Sequence, residues 1–81
     1  MSNLNMFMLV GRVHNKNYEN RTVSIKSDEQ IIKVDLVDFM QNSILNQLNI
    51  GDLIGVKGSI ENNTDNTISL VAKKLTFMPN N

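Results

Sequence analysis

The chain of 81 residues contains no cysteine, no tryptophan, one proline and one histidine. Without cysteine it can form neither a disulfide framework nor a thiolate zinc site, and a reducing compartment is the simplest environment, so we expect a cytoplasmic protein. The eight basic and eight acidic residues cancel, which leaves no overall attraction to nucleic acid or to a membrane. The apolar run "MFMLV" is too short for a signal sequence or a membrane span.

Side chains suited to catalysis or metal binding are scarce. His14, the only histidine, adjoins a turn-forming run and has no cysteine to activate. Asp35 and Asp38 lie three residues apart on a predicted strand, so their carboxylates point to opposite faces and cannot act as an acid–base pair. The glycines of "GDLIGVKG" follow a predicted helix, whereas those of a phosphate-binding loop precede one. We therefore predict a protein that is not an enzyme and has no metal site and no cofactor.

Polar, turn-forming runs such as "HNKNYEN", "SDE" and "ENNTDN" divide the chain into segments with the apolar pattern of strands. Between the third and fourth segments, "DFMQNSILNQLNIG" carries Met40, Ile44, Leu45 and Leu48 at helical spacing, which predicts a short helix that Asp38 caps and Gly51 ends. The five predicted strands are Asn5–His14, Arg21–Ser27, Gln30–Asp38, Asp52–Asn62 and Thr67–Met78.

The element order β-β-β-α-β-β, with glycines where strands must bend, predicts the five-stranded Greek-key barrel called the OB-fold. We predict an all-β fold with one short helix, in a single domain over residues 1–81 whose residues 79–81 form a short tail. The inward row of the fifth strand must change phase once near "AKK". The predicted core consists of Phe7, Leu9, Val13, Val23, Ile25, Ile32, Val34, Leu36, Ile54, Val56, Ile60, Leu70, Ala72, Leu75 and Phe77, with Ile44 and Leu48 plugging one end.

The first strand carries apolar residues on both of its faces. Its outward row begins with Met6, Met8 and Val10, and three large apolar side chains on an exposed strand favour contact with a partner. The alternative is that the fifth strand, the helix or the N-terminal residues cover this row within one subunit. We predict a homodimer or a homotetramer that uses this row as its interface.

An OB-fold offers a binding face on its second and third strands, between the loop that joins strands one and two and the loop that joins strands four and five. Cations near this face would neutralise phosphates, while Tyr18, Ile31 and Val37 would support bases. Phe39 is the one further aromatic residue outside the predicted core. The predicted nucleic-acid contacts, six of them basic residues bordering one groove, are Arg12, Lys16, Tyr18, Arg21, Lys26, Ile31, Lys33, Val37 and Lys57.

The segment "NMFMLVGRV" resembles the opening of bacterial single-stranded DNA-binding proteins, and "LNIGDLIGVKGSI" and "LVAKKLTFM" resemble their fourth and fifth strands. This resemblance extends over nearly the whole chain, and it implies an OB-fold whose subunits associate through their first strands. Ile31 and Val37 stand where the family usually displays aromatic residues, "SDEQ" replaces a long hairpin, and no acidic-tipped tail follows "FMPNN". The chain is therefore similar to a minimal or divergent member.

These observations predict a protein that binds single-stranded DNA in replication, recombination or repair, by phosphate contact and base stacking without sequence specificity. RNA remains open as a partner, since the same contacts serve both polymers. The alternative is an OB-fold protein–protein interaction module, or an accessory subunit of a replication or primosome assembly, without DNA affinity. The few aromatic residues and the zero net charge favour that alternative.

Overall fold

The computed structural model describes residues 5–37 and 43–79. Within these ranges, five strands close into a barrel in the order β1-β2-β3-β5-β4, with β4 returning to pair with β1. The predicted closed barrel with one short helix is confirmed. No helix of the described ranges has the length and apolarity that crossing a membrane requires. The elements are β1 (Met6–Asn17), β2 (Thr22–Ser27), β3 (Gln30–Asp35), α1 (Ser43–Gln47), β4 (Leu53–Asn62) and β5 (Ile68–Phe77).

The alternating apolar residues of the strands fill the interior of the barrel, as predicted for most positions. Leu45 of α1 and Leu48 just after it are fully buried in the same core, whereas Ile44 is only partly buried. The prediction that Phe77 is a core residue is wrong, because this last residue of β5 is 46% exposed. The buried apolar residues are Val13, Val23, Ile25, Val34, Leu36, Leu45, Leu48, Ile54, Val56, Val71 and Ala72.

The β1 strand continues to Asn17 instead of ending at His14 as predicted. His14 is an extra residue in the ladder, and beyond it Asn15, Lys16 and Asn17 resume pairing with β2. The backbone hydrogen bonds of the ladder outweigh the low strand propensity of asparagine. Lys16 therefore lies on a strand and not in a loop. The predicted third strand ends early, at Asp35, and the predicted cap Asp38, like Phe39 and Met40, lies outside the described residues.

A bulge in β5 produces the predicted change of phase near "AKK". Lys57 of β4 pairs with Lys74, and the next residue, Gly58, pairs with Ala72, so Lys73 is the extra residue of the bulge. At this point the two backbones approach closely, because a Cβ atom on Gly58 would lie 1.9 Å from the carbonyl oxygen of Val71. Only glycine fits opposite the bulge.

Replacing Gly58 with alanine should therefore destabilise the barrel strongly. The added methyl group would push two backbones apart, and we expect Gly58→Ala to lower the free energy of unfolding by on the order of 3 kcal/mol, measured by urea denaturation. Gly55→Ala is the matched control, because its Cβ would lie 3.5 Å from the sulfur of Met78 and would meet no backbone. Equal unfolding midpoints for the two variants would contradict the prediction.

Candidate nucleic-acid interface

The outward side chains of β2 and β3 form a mixed basic and apolar surface. On the edge of β2 that faces away from β3, Lys26 pairs with Arg12 of β1. This pairing extends the surface onto a third strand. Ile31 is 55% exposed between the cations. We call Arg12, Lys26, Ile31 and Lys33 the cationic face, and its members lie together as predicted. The outward pairs across β2 and β3 are Lys26 with Ile31, Ser24 with Lys33, and Thr22 with Asp35.

A cavity of about 660 Å³ adjoins the cationic face, between the turn that joins β1 to β2 and the turn that joins β4 to β5. This is the place that the sequence predicted for a binding groove, but no residue of the second turn was named. The polar run "ENNTDN" marks this second turn in the sequence and could have indicated its residues. We call this cavity the polar groove, and its principal lining residues are Asn20, Lys33, Asp35, Asn63, Thr67 and Ile68.

The turn between β4 and β5 forms a hydrogen-bonded wall of the polar groove. The side-chain amide nitrogen of Asn63 donates to Thr67 Oγ1 at 2.9 Å and to Ser69 Oγ at 3.0 Å. Asp65 Oδ1 accepts from the hydroxyl of Thr67 at 2.5 Å and from its backbone nitrogen at 3.1 Å. The polar groups of this wall therefore largely satisfy one another.

The acidic side chains near the groove do not assemble into a metal site. The hydroxyl of Thr67 and, to a smaller extent, its backbone N–H lower the pKa of Asp65 from its ordinary value, because both donate to its carboxylate. Asp35 Oδ1 accepts a hydrogen bond from the backbone nitrogen of Val37 at 2.9 Å. Across the part of the chain that the structure describes, no three histidine, aspartate or glutamate side chains lie close enough to hold a metal ion.

Lys16 and Tyr18 contact the C-terminal end of helix α1. The Lys16 ammonium donates to the carbonyl oxygens of Leu48 at 2.7 Å and Leu45 at 3.1 Å. Tyr18 donates its hydroxyl hydrogen to Asn46 Oδ1 at 2.8 Å, and its ring centroid lies 5.5 Å from Lys16 Nζ. A cation at this end of a helix satisfies carbonyl groups that have no partner within the helix. Contact of these two residues with DNA remains a prediction.

Arg21 and Val37 do not line the polar groove, although Arg21 lies in sequence between its lining residues Asn20 and Thr22. Arg21 closes the turn before β2 with a φ of 57°, and its carbonyl oxygen accepts a hydrogen bond from Leu36 N at 2.9 Å. Val37 follows β3 and is 50% exposed. The backbone bond from Leu36 therefore holds the first turn beside the end of β3, next to Asp35.

Lys57 does not border the groove, so this part of the predicted site is wrong. It lies on β4 between Met8 and Lys74, and in the closed barrel β1 separates β4 from β2 while β5 separates β4 from β3. The outward side chains of β4 therefore lie on a different side of the barrel from the outward side chains of β3. Lys57 instead lines a second cavity, of about 280 Å³, whose other side chains include Met8, Val10, Lys74 and Met78.

The outward apolar row of β1 is accessible to solvent. Met6, Met8 and Val10 are 62%, 78% and 47% exposed, and we call them the β1 row. Neither β5 nor α1, over their described residues, covers it, and Met78 lies near Val10, across Gly55. The N-terminal residues 1–4, the remaining candidate cover, lie outside the described residues.

No protein-family model and no curated protein matches the chain. In fold it is similar to the mitochondrial single-stranded DNA-binding protein Rim1 of S. cerevisiae. One crystal form matches with a TM-score of 0.76 and 21% identity over 99% of this chain and 100% of that one. Another matches with a TM-score of 0.71 and 20% identity over 94% of each chain. The chain has an OB-fold.

A structure of the S. pombe Stn1–Ten1 complex is also similar, with a TM-score of 0.72 and 16% identity over 93% of this chain and 59% of that one. Because these sequence identities are low, the similarity establishes a shared fold and no more. The resemblance to the bacterial proteins in particular stays a prediction.

Lys16→Met should reveal the contact with the helix. The substitution keeps an apolar stem but removes the ammonium from two carbonyl groups, so we expect the free energy of unfolding to fall by about 1 to 2 kcal/mol. Lys74→Met, at an exposed position on β5, should change it by less than about 0.5 kcal/mol. Thermal and urea unfolding of both variants measure the difference, and equal losses would contradict the contact.

Proposed function

We propose that this protein binds single-stranded DNA and is not an enzyme. The observation that carries the proposal is the polar groove, which lies beside a cationic face on a barrel whose fold is shared with single-stranded DNA-binding proteins. Two turns bound the groove, and β3 supplies its floor. An extended polymer can cross such a surface without entering the barrel.

The cationic face supplies the phosphate contacts. Arg12 and Lys26 are cross-strand partners, and Lys33 projects outward from the neighbouring strand. Adjacent strands lie about 4.8 Å apart, so these cations line a short path across the sheet. Lysine and arginine that neutralise phosphates release condensed counterions, which favours binding at low salt. The zero net charge of the chain does not oppose this local effect.

Bases would rest on apolar and aromatic surfaces around the cations. Ile31 and Val37 are about half exposed at 55% and 50%, and Tyr18 is 47% exposed beside the first turn. An aromatic platform contributes about 1 to 3 kcal/mol per base, and aliphatic side chains offer contact area without that stacking. Binding should therefore depend strongly on phosphate contacts and hence on salt. We assign the activity to replication, recombination or repair, and RNA stays open as a second ligand because the same contacts serve both polymers.

Titration of fluorescein-labelled oligo-dT at two or more salt concentrations tests the proposal. For single strands, the logarithm of the binding constant falls with the logarithm of salt by about 0.7 per neutralised phosphate. We expect Lys26→Gln to reduce that slope by about 0.7 and to weaken binding about fivefold at low salt. Lys74→Gln, the same change on another side of the barrel, should leave both quantities unchanged. Absence of saturable binding at low salt would refute DNA binding.

We further propose that the protein is a homodimer, or a homotetramer built from such dimers, joined through the β1 row. Supporting this are the exposed Met6, Met8 and Val10, which form a continuous apolar strip beside the 280 Å³ cavity. Burying each methionine or valine removes apolar surface from water and stabilises the complex. Over Met6 to Gly11 β1 pairs with β4, and its ladder with β2 begins only at Arg12, so the segment that carries the β1 row is paired on one edge and two subunits would meet there through its side chains.

Met8→Lys should dissociate this assembly. A buried ammonium without a partner is costly, so we expect sedimentation velocity to show a shift toward the monomer at micromolar concentration. Ile50→Lys, which adds the same charge at a residue that is 61% exposed after α1, should leave the distribution unchanged. A wild-type protein that sediments as a monomer up to high concentration would rule out the assembly.

A protein–protein interaction module without DNA affinity is the second candidate function. It is favoured by the exposed β1 row and by the small number of exposed aromatic side chains among the described residues. The oligo-dT titration separates the two candidates, since only the first predicts saturable, salt-dependent binding. Dissociation by Met8→Lys with intact DNA binding would place the two activities on separate surfaces.

A further inference from the structure

An acidic side chain occupies the floor of the polar groove, where a surface that only binds phosphate would not place it. Asp35 and Lys33 both line the groove, and they project from the same face of β3 because they are two residues apart. A carboxylate repels the phosphates of a bound strand. It can, however, accept hydrogen bonds from a base whose phosphate lies elsewhere on the cationic face.

The contacts of Asp35 leave part of its carboxylate available. Its Oδ1 atom accepts from Val37 N at 2.9 Å, while Oδ2 accepts no hydrogen bond from any described residue. Lys33 likewise has no hydrogen-bond partner among the described residues, and Asn63 and Thr67 on the opposite wall bond to each other. The floor therefore presents one free acceptor group and one free donor group, spaced about 7 Å apart along the strand.

The hydrogen-bond donors and acceptors of the four bases determine which base fits the carboxylate of Asp35 and the ammonium of Lys33. A carboxylate only accepts hydrogen bonds. The Watson–Crick edge of guanine carries two adjacent donors, N1–H and the N2 amino group, followed by the acceptor O6. Adenine and cytosine each present one amino donor beside an acceptor, and thymine presents one N–H between two carbonyl oxygens. A carboxylate therefore meets two donors only on guanine.

Resting on the proposed binding of single-stranded DNA, we propose that the polar groove recognises one guanine. Asp35 accepts from N1–H and N2–H of the base, and the flexible Lys33 ammonium, which contacts a phosphate when another base is present, donates to O6 at the other end of the same edge. Ile68, which lines the groove and is 61% exposed, provides an apolar surface for the face of the ring. The protein thus combines general phosphate contacts with a preference for a guanine at one position.

Fluorescence anisotropy at one fixed salt concentration tests this proposal. The probes are oligo-dT of one length, with three isolated thymines replaced by guanine, inosine, cytosine or adenine, so that no guanines are adjacent. We expect guanine to tighten binding about tenfold over oligo-dT, as for one bidentate base contact. Inosine, which lacks the N2 amino group, should lose most of that gain. Cytosine and adenine should resemble thymine.

Variants assign the preference to the residue. Asp35→Asn should abolish the gain from guanine while leaving oligo-dT affinity equal or higher, because the repulsion of phosphate is also removed. Asp28→Asn is the matched control, since it removes an equal charge in the β2–β3 turn and asparagine tolerates its φ of 55°. It should keep the preference for guanine.

The possible results separate this inference from the function on which it rests. Saturable binding to oligo-dT with no gain from guanine, an equal gain from cytosine, or a preference that survives Asp35→Asn would each overturn the recognition of guanine alone. Failure to bind any of the oligonucleotides would overturn both proposals.

Discussion

The close contact between Gly58 and the bulged backbone of β5 is the constraint on which the barrel depends. It lets β5 shift phase at Lys73, so that residues on both sides of the bulge reach the interior. The first half of β5 then lies beside the end of β3, where Asp35 pairs with Val71. Closure at that seam brings the start of β5 next to the outward row of β3. The polar groove is therefore a consequence of how the sheet closes.

Much of this arrangement follows from local sequence patterns. The period-two alternation of the strands, the turn-forming runs and the surplus residue in "AKK" predicted the five strands and the bulge. The same patterns misplaced the end of β1, because the ladder with β2 holds Asn15–Asn17 in a strand despite their turn-forming composition. The burial of Phe77, at the end of β5, was also predicted wrongly. Alternation along a strand assigns a side chain to the inner row, but it does not show whether the strand has already passed the end of the packed core.

The functional surface was less accessible from sequence. Lys16 contacts Leu45 and Leu48, which are 29 and 32 residues away in the sequence. Patterns of neighbouring residues cannot indicate contacts over such separations. Lys57 was grouped with the wrong cations. The alternation of apolar and polar residues indicates whether a side chain points into or out of the barrel, but it does not indicate which side of a closed barrel an outward side chain lies on. By contrast, the cationic face on β2 and β3 follows directly from antiparallel register across a short turn.

The short turn between β2 and β3 has a consequence for how a long polymer could load. Only Asp28 and Glu29 separate the strands, so no protruding ribbon arches over the sheet. The surface is open from the side, and a chain can settle onto it at any internal point. Under the proposed function, a single strand would therefore not have to be threaded from its 5′ or 3′ terminus.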